Sequence, residues 1–172
     1  MSLEEHKKTT SRVKCKVVTV SDTRSKDTDK SGKLMISLLE EYGHEVVDYE
    51  IVPDEQSCIK EAIITGCESK DIDVVLTNGG TGIAKRDVTI ETARQLFDKE
   101  IPGFGELFRM LSYTEDIGSA AILSRAVAGI IQDTAVFSTP GSSGAVKLAM
   151  TKLILPELGH VVHEIKKDLP SK

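Results

Sequence analysis

Short apolar runs alternate along this chain with longer stretches in which apolar residues recur three and four apart, the signature of strands alternating with helices. Residues 15–20 (Cys-Lys-Val-Val-Thr-Val) read as a first buried strand, and Leu34, Met35, Leu38 and Leu39 mark one face of a helix capped by Thr28 or Asp29 and stopped at Gly43. The pattern repeats. Residues 45–52 form a second strand, Pro53-Asp54-Glu55 a turn, and Ile59, Ala62, Ile63 and Cys67 the apolar side of a second helix. The β-branched run 74–77 is a third strand, so the order βαβαβ predicts a parallel sheet with helices on both faces.

The second half is less regular. Thr89 is placed to cap a helix carrying Ala93, Leu96 and Phe97, and Pro102 to begin another in which Phe104, Phe108 and Leu111 serve as core or subunit contacts. Residues 126–131 and 134–138, around Gln132-Asp133, predict a hairpin added to the sheet. A final helical pattern runs from Ala145, bends or restarts at Pro156, and continues through Leu158, Val161, Val162 and Ile165. The expected organisation is a flexible polar tail over residues 1–13, one α/β domain over 14–168 and a short C-terminal tail over 169–172.

Composition narrows the function classes. A chain of 172 residues is long enough for one domain, burying roughly 70% of the surface its unfolded form exposes without a disulfide or metal staple. With 22 basic and 27 acidic residues the net charge is −5, which argues against a general nucleic-acid or anionic-membrane surface. Four Phe, three Tyr and no Trp leave little material for a base-stacking platform. Cys15, Cys58 and Cys67 are odd in number and form no Cys-x-x-Cys pair. With a polar N-terminus and no long apolar run, they suit a reduced, cytoplasmic protein.

Candidate chemistry gathers after the strands. The third strand stops at Asn78-Gly79-Gly80-Thr81-Gly82, where glycines let the backbone take positive φ and bring its N–H groups close to an anion. Lys85 and Arg86 add positive charge, and Asp87 adds a carboxylate. The position of the third glycine in a dinucleotide fingerprint is Lys85, and no Gly-x-x-x-x-Gly-Lys-Ser/Thr occurs, so both familiar phosphate motifs are excluded. Ligands of open parallel sheets sit beyond the C-terminal strand ends, where Ser21, Asp22, Asp54 and residues 79–87 would converge. A second anion-suited segment is Thr139-Pro140-Gly141-Ser142-Ser143-Gly144. Plainer roles remain open: the glycine cluster as a turn, and Asp54 and Ser142 or Ser143 as helix caps. His160 and His163 lie three apart without a third ligand and suit a surface or packing role.

The ordered succession of motifs is more specific than any one loop. Val-Ser-Asp-Thr-Arg at 20–24, Pro-Asp-Glu at 53–55, Thr-Asn-Gly-Gly-Thr-Gly with Arg-Asp-Val-Thr within 77–89, Ile-Pro-Gly-Phe-Gly-Glu at 101–106, Ile-Leu-Ser-Arg-Ala at 122–126 and Pro-Gly-Ser at 140–142 resemble the MoaB/MogA family of molybdenum cofactor biosynthesis proteins. The likeness spans residues 15–163 and looks closest to the MoaB branch. It implies a three-layer α/β/α fold with a mostly parallel sheet, and adenylylation of molybdopterin by Mg²⁺ and ATP to give adenylylated molybdopterin and pyrophosphate. By motif, Asp54 and Asp87 become the catalytic, Mg²⁺-positioning aspartates. Ser21, Asp22, Gly79, Gly80, Thr81, Gly82, Gly141 and Ser142 become the ligand-binding residues. The resemblance also implies self-association as a homotrimer or homohexamer, and contacts with other proteins of cofactor biosynthesis. Two readings stand beside it: a molybdopterin-binding or assembly protein without turnover, and a nucleotide-binding regulator that takes ATP alone.

Overall fold

A computed structural model describes residues 12–170. Residues 1–11 of the expected tail over 1–13, and residues 171–172 of the expected C-terminal tail over 169–172, lie outside the described residues. Strand β1 (Lys14–Val20) leads to helix α1 (Lys30–Glu41), β2 (Glu45–Val52) to α2 (Gln56–Glu68), and β3 (Val74–Asn78) to α3 (Thr89–Leu96). The rest comprises β4 (Lys99–Glu100), α4 (Pro102–Glu115), a 3₁₀ turn (Gly118–Leu123), the hairpin β5 (Val127–Ile131) and β6 (Thr134–Thr139), α5 (Ser143–Ala149), a wide π turn (Met150–Ile154) and α6 (Leu155–Lys166).

These strands form one sheet in the order β2-β1-β3-β6-β5-β4. The first three pairings are parallel, and β5 and β4 join antiparallel. The mostly parallel sheet and the added hairpin are therefore as expected. Helices cover both faces. Cys15, Val17, Val74, Leu76 and Phe137 pack with Met35, Leu39, Phe108 and Leu158 on one side, while Val18, Val20, Val75 and Val136 pack with Ile59, Ile63, Ile90 and Ala93 on the other. Burial on both faces is why β1 and β3 read as continuous apolar runs instead of alternating ones. Because β1 lies between β2 and β3, the chain leaves β1 in one direction and returns on its other side, opening a crevice above the C-terminal ends of β1 and β3.

Several local expectations are corrected. Val13, assigned to the tail, is buried; its N–H donates to His44 Nδ1 and its carbonyl accepts from Glu45. Lys99-Glu100 forms a strand that no apolar pattern announces, because its pairing with Ile130 and Gly129 is a backbone pairing. Thr89 does not cap α3 but is its first residue, with its hydroxyl donating to the Gly79 carbonyl at 3.0 Å. Asp54 does not cap α2 either, since Glu55 holds that position without a side-chain cap bond. In α4 the core residues are Phe104 and Phe108, whereas Leu107, Met110 and Tyr113 are exposed, together with Ile117, Ile122 and Leu123 beyond it. Among the described residues no helix is long and apolar enough to cross a membrane.

One polar cluster sits inside the fold, directly beneath the crevice. Asp29 has no solvent exposure and caps α1 by accepting from the Gly32 amide at 3.0 Å. It also accepts from the hydroxyls of Thr19 on β1, at 2.6 Å, and Tyr49 on β2, with the Arg24 guanidinium 3.5 Å away. Asn78 at the end of β3 completes the tie, donating to Thr19 and accepting from Ser31, each at 3.0 Å. Burial pushes the Asp29 carboxyl up, but the bonds from Thr19, Tyr49 and Gly32 and the charge of Arg24 outweigh it and hold the group below its ordinary value.

Removing this carboxylate should therefore be costly and pH-dependent. Asp29→Ala is expected to lose about 3 kcal/mol of stability at pH 7 in urea denaturation, because it strands buried donors and the guanidinium. A folded value below the unfolded one means that the contribution is complete above the ordinary carboxylate value of 3.8 and fades as the pH falls through the lower folded value. The stability gap between wild type and variant should accordingly close on acidification below about pH 4.

Candidate functional site

Three loops meet at the crevice. After β1, the Ser21 hydroxyl accepts from the amides of Thr23, at 3.2 Å, and Arg24, at 3.1 Å, folding a tight polar turn. Arg24 then donates to Ser31 on α1 and, at 2.9 Å, to the Gly141 carbonyl, tying this turn to the one after β6. Gly141 itself packs on the backbone of Gly79. The loops enclose a cavity of about 450 Å³ bounded by residues 21–24, Asp54, residues 79–82, Asp87, Leu123, Ser124, Pro140 and Gly141. Of the residues expected at the site, only Ser142 lies off its lining; its hydroxyl caps α5 by accepting from the Ala145 amide.

The glycine loop is built to turn its amides one way. Gly79 and Gly80 have φ of 98° and 68°, and a methyl group at Gly80 would lie 2.2 Å from Thr89 Oγ1. The Gly79 carbonyl accepts from the Thr89 hydroxyl and the Gly80 carbonyl from the Thr89 amide. Arg125 holds the next two, with Nε 3.0 Å from the Thr81 oxygen and Nη2 2.6 Å from that of Gly82. In a trans peptide the N–H points opposite to the C=O, so fixing these carbonyls turns the amides of Gly80, Thr81 and Gly82 away from Thr89 and Arg125. Among the described residues those three amides donate to no protein acceptor. Successive amides turned together make an anion nest. The Gly79 amide is not part of it, since it donates to the Thr139 carbonyl at 3.0 Å.

Arg125 is the residue that the sequence reading passed over. It lies in the Ile-Leu-Ser-Arg-Ala motif, far along the chain from the loop, and is anchored from outside by Glu91. A lone cation in an otherwise uncharged motif was the only available signal.

Two carboxylates flank the nest. Asp87 lies against Gly82 and accepts from the Ala84 amide at 3.0 Å, so it also shapes the loop. Asp54 is half-buried and lies against Gly80. Burial raises its carboxyl above the ordinary value, and the negative charge of Asp22 adds to the rise, with Asp87 contributing further. Asp22 is braced rather than open: it accepts from the Arg86 Nε at 2.7 Å and Nη2 at 2.9 Å, and from the Asp54 amide at 3.0 Å. The hydrogen bond from Arg86 holds it below the ordinary carboxylate range.

This donor set suits Mg²⁺ carried by a phosphate better than a metal caged by protein. Among the described residues no group of three or more His, Cys, Asp or Glu side chains is placed to hold a metal. Mg²⁺ characteristically takes one or two carboxylates plus phosphate and water, and Asp54 and Asp87 supply two. Burial first, and then the neighbouring charges of Asp22 and Asp87, raise the Asp54 carboxyl, and a cation beside it would offset both.

The family model described as "Probable molybdopterin binding domain" matches residues 16–160, nearly the whole of this architecture. The chain belongs to the MoaB/MogA family. The molybdenum cofactor biosynthesis protein B of Bacillus subtilis (strain 168) is 68% identical over 169 residues, covering 98% of this chain and 99% of that protein. A crystal structure of a molybdenum cofactor biosynthesis protein B superposes with a TM-score of 0.91 at 62% identity, over 92% of this chain and 98% of that one. The tungsten cofactor synthesizing protein MoaB from Pyrococcus furiosus superposes at 0.77 with 43% identity, over 90% and 98%. MoaB/MogA membership and the layered sheet therefore agree with the motifs.

If Arg125 orients the loop, Arg125→Gln should release it without unfolding the protein. We expect a stability loss of no more than about 2 kcal/mol, since the lost bonds are partly exposed. The Gly80 and Gly82 amide resonances should shift and their hydrogen exchange should speed up, as read by NMR.

Proposed function

We propose that this protein acts in molybdenum cofactor biosynthesis by adenylylating molybdopterin, with ATP and Mg²⁺, to give adenylylated molybdopterin and pyrophosphate. The observation that carries the proposal is the anion nest of residues 80–82 set between two carboxylates, one of them held above its ordinary value. A passive anion binder gains nothing from carboxylates beside its phosphate donors. A site that joins two anions through a metal ion needs both.

In the reaction, an oxygen of the terminal molybdopterin phosphate attacks the α-phosphorus of ATP. A new P–O–P bond forms, the bond from the α-phosphorus to the bridging oxygen breaks, and pyrophosphate leaves with the electron pair. Both reactants are anions, so alignment and charge neutralisation are the main tasks. The amides of Gly80, Thr81 and Gly82 hold a phosphate without a group that must titrate. Asp54 and Asp87 would hold Mg²⁺, which supplies charge neutralisation on the phosphates when bound. Ser21 and Arg24 keep the opposite wall in place, and Asp22 fixes Asp54 through its amide.

A second reading, binding or assembly without turnover, is favoured by one detail. The Asp87 carboxylate already accepts from the Ala84 amide, and in that reading its role is to shape the loop. Pyrophosphate release on mixing the protein with molybdopterin, ATP and Mg²⁺ separates the two. Release that depends on molybdopterin, and falls about a hundredfold or more in Asp54→Asn and Asp87→Asn, is the expected result. Molybdopterin binding without release would favour the assembly role.

The Asp54 shift adds a check with its own sign. A folded value above the unfolded one means that the charged group costs stability at neutral pH. Asp54→Asn should therefore melt at or above the wild-type temperature at pH 7 while losing turnover, and the difference in melting temperature should shrink in acid.

A further inference from the structure

A second cavity, of about 670 Å³, adjoins the glycine-loop cavity, and Asp54 borders both. Its wall gathers Lys60 from α2 with Lys85 and Arg86 from the loop before α3, facing Asp54 and Glu55. Three cations on one concave surface are unexpected in a chain with a net charge of −5. Among the described residues Lys60 and Lys85 make no hydrogen bond or ion pair, so the cavity holds positive charge that no protein group neutralises at contact distance.

Arg86 stands between the two cavities. Its side chain is 59% exposed and grips Asp22 through two parallel bonds of 2.7 and 2.9 Å. That fork matches a phosphate as well as a carboxylate, so the guanidinium can change partners without losing bidentate geometry. An exposed ion pair is also weak enough to be broken by a polyanion.

We propose that Lys60, Lys85 and Arg86 form the subsite for the pyrophosphate portion of a nucleoside triphosphate, and that Arg86 leaves Asp22 to reach it. This rests on the adenylyl-transfer reading for its biological role but not for its test. The adjoining position suits a triphosphate whose α-phosphate lies at the glycine loop and whose outer phosphates cross Asp54. Departure of pyrophosphate returns Arg86 to Asp22, restoring the ion pair between turnovers.

Calorimetric titration of the full-length protein with inorganic pyrophosphate, inorganic phosphate, ATP and AMP tests this. Wild type should bind pyrophosphate at least about tenfold more tightly than phosphate, and Arg86→Gln or the double variant Lys60→Gln/Lys85→Gln should weaken pyrophosphate and ATP by about tenfold. AMP affinity should change less than about twofold, because AMP lacks the outer phosphates. Asp22→Asn keeps an acceptor for the Asp54 amide but releases Arg86, and should tighten pyrophosphate binding. Thermal melts identify folded variants, and the lysine pair carries the test if Arg86→Gln does not fold. Equal pyrophosphate affinity in wild type and the folded cation variants, or no binding by wild type, overturns the subsite even if the protein turns over. Loss of pyrophosphate binding in those variants with no adenylylated molybdopterin formed by wild type upholds the subsite and removes the adenylyl-transfer reading.

Discussion

Asp29 is fully buried and receives hydrogen bonds from β1, from β2 and from the first turn of α1. A buried carboxylate is tolerable only when its lone pairs are filled and a cation is near, and here the filling groups come from two neighbouring strands and the helix that follows the first. Arg24 is the cation, and its other hand holds the Gly141 carbonyl. The turn after β1 is thus tied to the turn after β6 by the same guanidinium that neutralises the core charge. The site above inherits its shape from the network below.

Around the crevice the same few residue types are used in two opposite ways. Arg125 and Arg24 are spent on backbone carbonyls, where they fix the direction of peptide planes, while Arg86 is committed to an exposed carboxylate that a stronger anion can displace. Asp29 is held low by its donors and Asp54 is pushed up by burial and like charge. The first stabilises the fold. The second is a local cost at the crevice rim, of the kind that persists where charge is needed for a ligand. A chain that is acidic overall can in this way present anion-binding surfaces, because the relevant field is set by what lies within a few ångströms and not by the sum over the chain.

The sequence by itself determined the succession of strands and helices, because burial on two sheet faces leaves continuous apolar runs and burial on one helix face leaves spacing of three and four. It also located Ser21, Asp22, Asp54, the glycine loop and Asp87 at one rim, because a parallel βαβ chain brings every strand-end loop to the same edge, while Gly141 came in through the family motifs. Its motifs carried the family. Tertiary structure alone decided what those residues do to one another. Val13 became core, Lys99-Glu100 became a strand, Thr89 turned from cap to loop anchor, and of Ser142 and Ser143, both open as caps, Ser142 took the position. Arg125 reached the glycine loop from more than forty positions away. The physical reason is common to all of these: backbone pairing and long-range hydrogen bonds depend on which groups are brought within about 3 Å, and that distance has no counterpart in the local pattern from which strands and helices are read.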